Sequence, residues 1–145
     1  MFMSEAGKHL DTAMHYLEEA HKLLERGDPY DACEKVWASI KHATLALTLK
    51  TLGETVPPKN VSWRSFVKEA FMKAGLSEEE AGKQASYFID VRDRLHGGCF
   101  YGLTYEDEEH KPLIEKAREY LGIVENLVKK SPYSVLVGRD IKDCS

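Results

Sequence analysis

The sequence predicts an all-α fold, an up-and-down bundle of four to five helices, and three observations carry that reading. Apolar residues recur every three to four positions along most of the first 130 residues. The punctuation between these runs is brief: Gly27-Asp28-Pro29, Gly53 to Asn60, Gly75 to Ser77, and Gly97-Gly98. The chain has 145 residues, 43% hydrophobic and 30% charged, which suits one core and excludes a disordered or collagen-like chain. Residues 1–130 are read as one helical domain and 131–145 as a C-terminal tail that is a short strand, a packed arm or disordered.

Residues 4 to 26 carry a seven-residue repeat. Met3, Leu10, Leu17 and Leu24 share one position, and Ala6, Ala13 and Ala20 fall three residues later each time. Such a seam lets a neighbouring helix approach closely on its alanine side, as in an antiparallel pair within a bundle. Gly27 ends it, and Asp28 and Pro29 cap and open a second helix. In that helix Val36/Trp37, Ile40, Ala43/Thr44 and Leu47 form one apolar face and Leu45, Leu49 and Leu52 another. A helix apolar on two sides is central or meets a second chain.

Ser62 caps a short third helix built on Trp63, Phe66/Val67 and Ala70/Phe71. Ser77-Glu78-Glu79-Glu80 is a capping box that opens a fourth, expected to run to about Leu95 and to stop at Gly97-Gly98. Residues 99 to 105 read as an aromatic loop with Phe100, Tyr101 and Tyr105. A last helix starts between Glu106 and Pro112 and continues to Lys130, and the acidic run Glu106-Asp107-Glu108-Glu109 favours its start.

Composition narrows the function classes. The net charge of −4 gives no global attraction to nucleic acid, so any such contact is local. No apolar run approaches the ~20 residues of a membrane span, and no secretory signal opens the chain, so a cytoplasmic protein with no membrane partner is expected. Cys33, Cys99 and Cys144 are few, odd in number and far apart, which points to reduced thiols. There is no CxxC pair, Gly-rich phosphate loop or GxSxG, so neither a metal nor a cofactor is expected. Glu18-x-x-His21 has the spacing of a di-iron bundle ligand pair, but such a site needs two pairs and two further Glu; a metal-carboxylate enzyme is thus a distant third reading. His9, His15 and His42 fit no partner pattern.

The fourth helix holds the most informative constellation. On an α-helical wheel of ~100° per residue, Arg92 and His96 fall inside the apolar arc of Ala85, Phe88, Ile89, Val91 and Leu95. A guanidinium there needs a partner, with Glu18 or Glu34 as acidic candidates. Arg grips phosphate through two parallel hydrogen bonds and His moves protons near neutral pH, so the pair fits metal-free RNA cleavage. A bland reading competes with it: His96 lies just before two glycines, where a cation meets a helix C-terminus. Lys59, Arg64, Lys68 and Lys73 against Glu69 give the third-helix region three excess positive charges, suited to RNA or to a solvated face.

The run Gly27-Asp28-Pro29-Tyr30-Asp31-Ala32-Cys33-Glu34-Lys35-Val36-Trp37, in a pattern that begins at Ala20, resembles the helical hairpin of HEPN domains. Leu95-His96 followed by Phe100-Tyr101 resembles the late motif of one archaeal branch, the PaREP-like proteins. The resemblance covers residues from about 4 to 130. It implies a homodimer whose late helix carries Arg, a polar residue and His toward a cleft between the two chains; Arg92, Asp93 and His96 match that motif as catalytic candidates. The active family places more residues between Arg and His than the three found here. Arg64, Lys68 and Tyr101 are the candidate RNA-binding residues. The implied activity is RNA binding or metal-independent RNA cleavage. The alternative is a non-catalytic interaction module of the same fold, pairing with a nucleotidyltransferase.

Overall fold

The computed structural model describes residues 4–130, and these form helices joined by short turns, with no strand among them. The order is α1 (Glu5–Glu25), α2 (Pro29–Leu52), α3 (Trp63–Lys73), α4 (Glu78–Asp90), a π-helical segment (Val91–Tyr101), α5 (Asp107–Glu115) and α6 (Ala117–Lys129). The all-α expectation holds. Met3 of the heptad and the tail from residue 131 lie outside the described residues.

Local chemistry accounts for the helix starts. Ser4, Asp28, Ser62 and Ser77 each accept a backbone N–H from three residues on, filling one orphan donor of the first turn. Gly27 (φ 82°) and Gly53 (φ 73°) follow α1 and α2 in the left-handed region that favours glycine.

α2 is the central rod, packed against α1, α3, α6 and the π segment. Its buried residues, from Ala32 to Thr48, occupy more than one side. The face of Val36/Trp37, Ile40, Ala43/Thr44 and Leu47 is thus covered within one chain, while Leu45, Leu49 and Leu52 of the second face stay half-buried. On α1 the alanine seam is buried as expected, and the Ser39 hydroxyl donates to Ala13 O across it at 2.7 Å. Trp37 and Phe88 are core residues, with ring centroids 5.4 Å apart.

Three expectations are corrected. The fourth helix does not stop at Gly97-Gly98: after Asp90 it widens into a π-helix that runs through both glycines to Tyr101. Glycine has no Cβ to oppose the wider turn, and Gly102 N–H closes the segment on Gly97 O at 2.9 Å. The last helix is divided at Lys116 into α5 and α6, although the Lys116 N–H still donates to Pro112 O and its carbonyl accepts the Tyr120 N–H, both at 3.1 Å. The thiols of Cys33 and Cys99 are not free but joined as a disulfide that ties the first turns of α2 to the end of the π segment. Residues 66 apart in sequence meet there because α2 and the π segment pack side by side.

Candidate functional site

The disulfide and the π segment bring His96 over the start of α2. His96 Nδ1 lies 2.8 Å from Glu34 Oε1, with the two side chains about one-third exposed (30% and 32%). A carboxylate only accepts, so Nδ1 carries the hydrogen and Nε2 is left to face away from Glu34. The imidazole stacks on Trp37 at 5.5 Å and 30°, and the Tyr101 ring meets it edge-on at 5.0 Å. Trp37 is 8% exposed and Tyr101 69%, so the histidine is clamped between a core ring and a surface ring. Trp37 in turn packs on Phe88, and Phe88 on Trp63, so the clamp is anchored in the core.

Arg92 does not meet Glu18 or Glu34. Its Nε donates to Asp93 Oδ1 at 2.9 Å, with 39% of the arginine side chain exposed. The α-helical wheel fails beyond Asp90 because the π segment turns less per residue, so Arg92 sits at the rim of the core. Arg92, Asp93, His96 and Tyr101 all lie on this one segment, and the structure joins Arg92 to Asp93 and His96 to Tyr101. Arg64 and Lys68 serve elsewhere: Arg64 Nη1 donates to Ser86 Oγ at 2.7 Å, and Lys68 pairs with Glu78 at 3.2 Å, both tying α3 to α4.

Glu34 and Trp37 are the residues of this cluster that were not assigned to the site from sequence. Both stand in the hairpin motif around Lys35, which is the signal that points to them.

A cleft of about 640 Å³ lies away from His96 between α4 and α5, lined by Ser86, Tyr87, Asp90 and Lys116 among others. Of the perturbed phenols, Tyr87 and Tyr120 are core residues and Tyr105 packs half-buried against the core. Burial pushes Tyr87 and Tyr120 well above the usual tyrosine range, and burial with the nearby Asp107 raises Tyr105 to about 12. Among the described residues no three His, Cys, Asp or Glu side chains converge, and no helix is long and apolar enough to cross a membrane.

Comparison with curated proteins and with solved structures finds no match. The family model described as the archaeal PaREP1/PaREP8 family matches residues 8–121, a span from the first turns of α1 into α6 that includes the hairpin, the π segment and the Glu34–His96 contact. The chain belongs to the archaeal PaREP1/PaREP8 family.

Proposed function

We propose that this chain is a HEPN-like RNA-binding protein, a homodimer in which His96 and Arg92 face RNA at the cleft between two copies and cleave it without a metal. The observation that carries the reading is the 2.8 Å Glu34–His96 contact, which fixes the imidazole's tautomer and leaves Nε2 as the proton acceptor. In the reaction His96 Nε2 takes the proton of a ribose 2′-hydroxyl. The 2′-oxygen forms its bond to phosphorus while the bond from phosphorus to the 5′-oxygen breaks, and that leaving oxygen takes a proton from solvent. The products are a 2′,3′-cyclic phosphate end and a 5′-hydroxyl end. Arg92, leaving Asp93, grips the phosphate and offsets its growing charge. Tyr101 is the surface ring on which a base stacks.

The test is cleavage of single-stranded RNA by the purified chain in EDTA. His96→Ala is expected to lower the rate by about 10²–10⁴-fold. Arg92→Ala is expected to lower it comparably, and Glu34→Gln less, with the helical signal unchanged in all three. Cleavage that survives His96→Ala overturns the assignment.

A second reading, a non-catalytic module that pairs with a nucleotidyltransferase, is favoured by the exposure of Tyr30, Tyr101 and Leu103 and by the engagement of Arg92 with Asp93. It requires that wild-type protein bind its partner and leave RNA intact.

A further inference from the structure

We infer that His9 and His42 form a binding site for a divalent transition-metal ion such as zinc, on the exposed flank of the α1–α2 hairpin. The two residues come from different helices, 33 positions apart, and their Nδ1 atoms lie 2.9 Å from one another. The rings are half-buried, with centroids 5.1 Å apart, and Tyr16 stacks on His42 at 5.8 Å. Two bonds of about 2.0–2.1 Å to a tetrahedral zinc ion set their nitrogens about 3.3 Å apart. A small rotation of either ring converts the observed pair into that arrangement. The backbones need not move, because the Ser39 hydroxyl bond to Ala13 O pins the same two helices nearby.

Without metal a single proton lies between the nitrogens, one Nδ1–H donating to the lone pair of the other. A dication takes the place of that proton and needs both imidazoles neutral. Burial, His9 and Lys41 all hold His42 below the ordinary histidine range, which keeps it in the binding form. The neighbouring cations have other partners: Lys41 leans over the Trp37 ring, and Lys35 lies over Tyr16 and pairs with Glu19. No third protein ligand converges here among the described residues, so water completes the coordination and the ion exchanges readily. Imidazole donors select zinc, copper or nickel over magnesium and calcium.

The full chain carrying Cys144→Ser, which removes the one thiol not held in the Cys33–Cys99 disulfide, is titrated with zinc chloride by calorimetry and by NMR of the histidine ring nitrogens. One ion per chain is expected, with the His9 and His42 signals moving together. His9→Gln and His42→Gln are each expected to weaken binding by at least about tenfold. His15→Gln, on the same helix beside Glu19, is expected to leave it unchanged, and magnesium to cause no shift. Absence of saturation at about 1 mM zinc, or wild-type affinity in His9→Gln, overturns the inference. If His42→Gln loses its helical signal, His9→Gln alone decides, since its ring is not part of the Tyr16 stack.

Discussion

At Tyr120 two distant parts of the chain meet in one buried hydrogen bond. Its hydroxyl lies 2.7 Å from Thr44 Oγ1, and Thr44 in turn bonds Ile40 O at 2.7 Å. Thr44 has one hydrogen, given to Ile40, so Tyr120 donates to Thr44 and must stay neutral. Burial raises this phenol strongly, against a smaller opposing effect of the Thr44 bond. A group whose pKa is raised on folding adds stability that is complete below its unfolded value, near 10, and is lost as the pH rises beyond it. Tyr120→Phe is expected to cost about 1 kcal/mol in urea melts at neutral pH, since the Thr44 hydroxyl keeps its other bond. It is also expected to flatten the loss of stability above about pH 10, with Tyr87 and Tyr105 retaining the rest. An unchanged alkaline slope counts against it. Core residues of this kind were legible in sequence, because Trp37, Phe88 and Tyr120 all fall on helical apolar stripes. The Glu34–His96 contact was not: periodicity shows which face a residue occupies, not which residue 62 positions away will lie opposite.

Helix starts were similarly legible, since a serine or aspartate before an apolar run acts through its own neighbours. The π segment was not, because Gly97-Gly98 carries the same local signal whether the helix ends or widens, and the choice is made by α2 and by Cys33. Its stability therefore depends on tertiary ties, and two substitutions test this. In the chain-entropy picture a bridge between residues 66 apart contributes about 4 kcal/mol. Cys33→Ala with Cys99→Ala is expected to lower unfolding free energy by about that amount and to speed amide exchange across residues 91–101 first. Both cysteines are fully buried, so reducing agent is expected to act only as fast as this segment opens. Gly102 closes the same segment. A Cβ there would sit 2.5 Å from Gly98 O, with φ at an ordinary −81°, so close approach rather than backbone conformation requires the glycine. Gly102→Ala is expected to cost about 1–3 kcal/mol by forcing the last turn apart. A melt indistinguishable from wild type contradicts that geometry.

For the whole molecule, the expectation of a homodimer rests first on the two apolar faces of α2; α1, α3, α6 and the π segment pack on that helix and cover one face, while Leu45, Leu49 and Leu52 of the other stay half-buried. Besides Met14, Val56 and Met72, the exposed large apolar side chains of the described residues are Tyr30, Tyr101 and Leu103. Tyr30 opens α2 next to the Cys99 contact with Pro29 O, and Tyr101 and Leu103 follow at the end of the π segment, 69% and 68% exposed. Leu103 also holds a left-handed backbone at φ 54°, a conformation that disfavours a branched, non-glycine residue by roughly 1–2 kcal/mol. Its side chain stays 68% exposed among the described residues, so little burial offsets that cost within one chain. In the proposed dimer a second copy would recover it by burying Leu103 and Tyr101, and would set two His96 sites at one cleft. The two effects of Leu103→Gly then have opposite signs. Removing the strain is expected to stabilise each chain by up to about 1 kcal/mol, less the added freedom of glycine in the unfolded state. Removing the contact is expected to shift sedimentation from dimer to monomer at micromolar concentration. A wild-type chain that already sediments as a monomer, or a Leu103→Gly chain that remains dimeric, removes this surface from the proposed RNA cleft.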